Sequence, residues 1–190
     1  MTLSLPKLLG FGIVLELFIF IASYLLYPEI EETFRYAARY SGRLSAAVFL
    51  LAFYAYTMAF PKSLNENMEV RNLIIVFAVL HLIHFGFLAS NIFLNEIPLI
   101  PVKLLGGALA YLMIVWAPFK LHQLKLPLQL TYFYYVTFVM IMTYVARVKG
   151  DFEGAEPQWL HFVALTIFIG CSFVFGLRMW NTRKARKINQ

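Results

Sequence analysis

Apolar residues in this chain come in runs rather than in narrow stripes. Blocks of about 20 hydrophobic positions alternate with short polar connections, and about 20 residues is the length that crosses ~30 Å of hydrocarbon at 1.5 Å per residue. Lipid offers no partner for backbone polar groups, and the period-two alternation of a barrel strand is absent, so the runs read as helices. Six spans are predicted, near 8–27, 44–60, 73–93, 99–119, 127–147 and 158–177, followed by a basic tail over 178–190. The expected fold class is an all-α integral membrane protein, a single transmembrane domain over 1–190 built as a bundle of six transmembrane helices.

The connections carry their own signals. The first run follows Lys7 and is about 20 residues long, beyond the 7–15 of a signal-peptide core, which predicts a retained helix. Pro28 ends it. In Glu29–Arg43, Glu31 and Glu32 stand against Arg35, and Phe34, Tyr36 and Tyr40 are interleaved. That pattern predicts a short helix lying in the membrane interface. Ser41–Gly42 is expected to open the second span and Pro61 to close it. Pro98 and Pro101 mark the turn before the fourth span, where Gly106, Gly107, Ala108 and Ala110 form a small-residue patch suited to close helix approach. An acidic loop, Asp151 to Glu156, precedes the sixth span.

Composition narrows the class further. The chain is 61% hydrophobic and 14% charged, with a mean hydropathy of +0.72; soluble domains sit nearer 45–50% and 25%. The net charge of +6 would suit nucleic acid, but the basic residues stand at the ends of apolar blocks, where headgroups and orientation account for them. Membrane lipids, and no nucleic acid, are the predicted contacts. On the side of the two termini lie Lys7, Lys62, Arg71, Lys120, Lys125, Arg178, Arg183, Lys184, Arg186 and Lys187, ten in all. The other side holds Arg35, Arg39, Arg43, Lys103, Arg147 and Lys149, which is six. This bias predicts both termini in the cytoplasm, in a bacterial cytoplasmic (inner) membrane. Cys171 is the one cysteine, so neither an intrachain disulfide nor a cysteine metal cluster is expected. No connection exceeds about sixteen residues, which leaves no room for a nucleotide or flavin domain, and GxSxG, HExxH and CxxC are all absent.

Candidate chemistry concentrates in the third span, LIIVFAVLHLIHFGFLASNIF. His81 and His84 stand three apart, about 60° around a helix, so both face one side. Asn91 follows two turns later on the same stripe, and Glu16 lies near the centre of the first span. His122 sits in the loop before span five, and His161 one turn into span six. A b-type haem between helices takes a neutral imidazole from each of two helices. His81 or His84 would supply one metal ligand, and His161 or His122 the other. Asn91 and Glu16 are candidates to bond the ligands' second ring nitrogen. The plainer reading has these histidines bonded to backbone carbonyls, Asn91 or Glu16, and Glu16 paired with a neighbouring helix.

Three stretches together resemble the bacterial ferric reductase-like transmembrane domain family, in particular its short members without flavin domains. They are SGRLSAAVFLLAFYAYTMAFP (Ser41–Pro61), RNLIIVFAVLHLIHFGFL (Arg71–Leu88), and LLGGALAYLMI leading into LQLTYFYYVTFVMIMTYVAR. The likeness covers about residues 41 to 147, and FAVLHLIH is its most specific part. It implies a six-helix module that carries electrons through haem b, taking them from a flavin partner or a quinol. Where the family pattern places a second ligating histidine before the paired tyrosines, this chain reads Leu128–Gln129, and only Arg71 precedes the histidine helix. Glutamine is not a usual haem ligand.

Three functions are therefore expected to compete. The first is an electron-carrying membrane subunit holding haem b, with a quinone or partner protein as donor or acceptor. The second is a haem-less accessory subunit of a larger membrane complex. The third is a pocket for a lipophilic small molecule lined by Phe77, Phe85, Tyr132 and Tyr135.

Overall fold

The structure, a computed structural model, describes residues 4–60, 64–150 and 158–188. Six α-helices make up almost all of it: α1 (Leu5–Leu26), α2 (Ile30–Ala59), α3 (Met68–Leu94), α4 (Pro101–Lys120), α5 (Leu126–Lys149) and α6 (Trp159–Ile188). Two 3-10 turns, Leu64–Glu66 and Leu121–Gln123, sit between α2 and α3 and between α4 and α5. There is no strand among the described residues. All six helices are long and apolar enough to cross a membrane, and their outer faces carry large exposed apolar side chains such as Phe11, Leu25, Phe93, Phe119, Phe173 and Trp180. Such faces suit lipid rather than water.

Two helices differ from expectation. The polar stretch 29–43 is not a separate interfacial helix: α2 runs unbroken from Ile30 to Ala59, through Ser41–Gly42. Glu31 and Glu32 fall in its first turn, where the positive end of the helix dipole favours them. No proline interrupts the segment, and Gly42 lies within the helix. At the other end of the chain, α6 continues past Leu177 as far as Ile188, so most of the basic tail is helical. Pro61 and the acidic loop lie outside the described residues.

Helix ends follow local rules. Pro28 stops α1, and the Tyr27 N–H donates to the Ser23 carbonyl in its last turn. At the end of α3 the Ile97 N–H bonds the Ile92 carbonyl and the Glu96 N–H the Phe93 carbonyl. This is the paired closure of a Schellman motif. Its left-handed position, φ 50°, is filled by Glu96 rather than glycine. Gly150 takes the same role after α5 at φ 76°.

The chain divides into two compact units. The first comprises Met1–Ala52 with Met68–Leu105, and the second Phe53–Asn67 with Gly106–Gln190. In the first, α1 packs against α3, with the early part of α2 on both. In the second, α5 packs along α6 and the two 3-10 turns meet. The interior of the second unit is aromatic. Phe133 stacks on Phe53 at 5.3 Å and on Tyr56 at 4.5 Å, while Phe175 meets Phe53 edge-on at 4.6 Å. Offset and edge-to-face pairs of this kind add to the simple burial of the rings.

Candidate functional site

The first unit has a register that can be followed rung by rung. Gly12 on α1 lies against Leu80 on α3, and Phe20 stacks on Phe87 at 5.7 Å. Numbers rise together on α1 and α3, so the two helices are parallel. On α2 they fall: Phe34 meets Phe20 and Phe87, Ser41 meets Glu16, Gly42 meets His84, Ser45 meets His81, and Phe49 meets Phe77. Glu16, midway between Gly12 and Phe20, therefore lies level with His84.

Polar residues occupy the middle rungs. The Ser41 hydroxyl, fully buried, donates to Oε1 of Glu16 at 2.9 Å. Gly42 leaves room for an imidazole: a Cβ there would come within 2.9 Å of Cε1 of His84. One turn on, the Ser45 Oγ donates to the Gly42 carbonyl at 3.1 Å and faces Nδ1 of His81 at 3.0 Å. A hydroxyl has one proton. Given to the carbonyl, it leaves Oγ to accept from Nδ1–H, and the lone pair of His81 then falls on Nε2. The His81 and His84 rings stand 5.4 Å apart between centroids, and both pack on α2.

Asn91, buried, belongs to a separate network at the end of α3. Its side-chain oxygen and its carbonyl accept from Nδ2 of Asn95, which also bonds the Glu31 carbonyl. Arg35 donates to the Asn95 side chain and pairs with Glu32. This network closes the start of α2 onto the end of α3.

The other two histidines belong to the second unit. His122 lies in the 3-10 turn, its Nε2 3.4 Å from Nε2 of Gln123. His161, only 2% exposed, accepts the Gln158 N–H on Nδ1 at 3.2 Å, capping its own helix, with Tyr144 beside it at 6.2 Å. In the neutral ring that bond places the proton on Nε2. An iron ligand needs the opposite arrangement, with Nε2 bare and Nδ1 donating.

Gln129 is buried and both ends of its amide are engaged. Oε1 accepts the Tyr56 hydroxyl at 3.0 Å, and Nε2 donates to the Leu124 carbonyl at 2.9 Å. It braces α5 to α2 and to the turn before α5. Of the residues expected to line a lipophilic pocket, Phe77 is buried on Phe49 and Phe85 is about half exposed. Tyr135 donates to the Gly106 carbonyl. Tyr132, buried, does border an apolar cavity of about 240 Å³ with Met113, Trp116, Leu121, Leu124 and Leu128.

The Ser45 contact on Nδ1 gives His81 the ring orientation that an axial ligand of a b-type haem takes. Among the described residues no group of three or more His, Cys, Asp or Glu side chains converges as metal ligands do. The sequence missed Ser41, Ser45 and Gly42 as partners of the polar column. Their signal was the i, i+4 serine pair, Ser41 and Ser45, with a glycine between them. No family model matches the chain, and neither a curated protein nor a solved structure is found to be similar to it.

Proposed function

We propose that this chain is an integral protein of a bacterial cytoplasmic membrane, with both termini in the cytoplasm, serving as a haem-less accessory subunit of a larger membrane complex. The observation that carries this reading is Gln129. It stands where the ferric reductase-like pattern expects the second ligating histidine, and its amide is used at both ends to brace helices. His161 caps its own helix, and His84 is packed against Gly42. The residues that would hold a haem on two sides are thus engaged in packing. The small-residue patch on α4 supports the assembly half of the proposal. A Cβ added at Gly107 would meet nothing within 4 Å, so that face is open to a helix from another chain.

A second reading is a ferric reductase-like electron-carrying subunit with one haem held by His81 alone. It is favoured by the Ser45–His81 contact, which orients the ring as an axial ligand requires. One preparation separates the two. The protein is purified in mild detergent from cells supplied with haem precursor, and its reduced-minus-oxidised spectrum and assembly size are measured. The accessory reading expects no b-type bands and co-migration with a larger assembly that Gly107→Leu disrupts. A b-type spectrum abolished by His81→Ala and kept in His122→Ala would overturn it in favour of the second.

A further inference from the structure

Among the described residues of the first unit, Glu16 is the one acidic side chain drawn into the interior. It lies mid-way along a helix able to span a membrane and is 2% exposed. Oε1 accepts the Ser41 hydroxyl, while Oε2 is buried and has no hydrogen-bond partner among the described residues. No cation pairs with it there. Arg39 and Arg43, the guanidinium groups on α2 nearest Ser41, lie over the rings of Tyr36 and Tyr40, at 4.8 and 5.2 Å. From the two helices packed on α1 its recorded polar contact is Ser41 of α2, and the next polar groups along those helices, Ser45 of α2 and His81 of α3, meet each other.

An ionised carboxylate taken out of water needs a counter-cation or several N–H donors in place of its hydration. Glu16 has a single hydroxyl. The protonated acid needs less, since its carbonyl oxygen can accept from Ser41 while the O–H occupies Oε2. Ionisable groups at such depth are uncommon and mark proton or ion paths. We propose that Glu16, oriented by Ser41, is a proton-binding site of the first unit. The carboxyl takes up and releases a proton at Oε2.

A hydrophobic carbodiimide, dicyclohexylcarbodiimide, tests this on the intact protein in membranes. The reagent reacts with a protonated carboxyl group in apolar surroundings. The acid's proton goes to one carbodiimide nitrogen and its oxygen to the central carbon, and acyl migration to nitrogen then gives a stable adduct without loss of atoms. Peptide mapping by mass spectrometry after reaction at pH 7 is expected to find the adduct on Glu16 and none on exposed Glu31. Labelling should fall by about tenfold per pH unit once the carboxyl ionises, and Glu16→Gln should abolish it. Absence of the adduct at pH 7, under conditions where the same reagent modifies Glu31 at pH 5, would overturn the proposal. So would labelling of Glu16 that stays constant to pH 10, because a proton that never leaves is a packing feature. Neither outcome depends on whether haem is bound.

Discussion

The two units use the same kind of apolar helix and fill their interiors in opposite ways. In the first, the middle rungs hold Glu16, Ser41, Ser45, His81 and His84, bracketed by Phe20, Phe34 and Phe87 on one side and by Phe49 and Phe77 on the other. In the second, Phe53, Tyr56, Phe133 and Phe175 fill the same kind of space with rings, and a buried amide, Gln129, is satisfied at both ends. Between helices in lipid there is little hydrophobic force, so packing and hydrogen bonds decide association. An aromatic interior gains its cohesion from contact area. A polar one gains it only where each group meets its partner, and it leaves chemistry wherever one does not. Oε2 of Glu16 is such a place.

The sharpest way to break this contrast is to remove a ring. Phe133→Ala deletes a fully buried side chain stacked on two others and should cost about 3–5 kcal/mol, read as a lower midpoint of thermal unfolding in detergent. A loss below about 1 kcal/mol would mean that the aromatic interior does not hold the second unit together.

A smaller effect is expected in the first unit from Gly42→Ala. The added methyl meets the His84 imidazole at 2.9 Å. The overpacking cost of about 1–3 kcal/mol is partly offset by alanine's better helix propensity, ~1 kcal/mol. The net change is a modest destabilisation, accompanied by a shift of the His84 ring signals in an NMR spectrum. Unchanged signals would show that the imidazole is not held by that glycine.

The smallest effect belongs to Gly107→Ala, the same substitution in the second unit with open space around it. The isolated chain should keep its stability or gain up to ~1 kcal/mol. Destabilisation of the isolated chain would show that the patch packs internally.

Much of the fold is legible in the order of residues. Six apolar runs predict six helices because only a helix of about 20 residues satisfies its own backbone over that distance. Their centres agree with α1 to α6. The ends agree less well at α2 and α6, where polar residues were read as the end of a helix. In both places the backbone continues, because helical hydrogen bonding depends on the main chain and neither a proline nor a left-handed residue interrupts it there. Glu96 shows the converse, a left-handed closure without the expected glycine.

The candidate site divides along the same line. His81, His84 and Glu16 could be singled out from sequence alone, since an imidazole or a carboxyl in a 20-residue apolar run has a steep desolvation cost and needs a reason to be there. Their partners could not. Ser41, Gly42 and Ser45 lie some 25 to 40 residues away on a helix running the other way, and which of them reaches which ring is set by the register of α2 against α1 and α3. Whether Gln129 is a lost ligand or a brace is likewise decided by the Tyr56 hydroxyl and the Leu124 carbonyl. Hydrophobic length is a property of one segment and can be read from it. A hydrogen bond is a property of two, and only tertiary packing brings the second to the first.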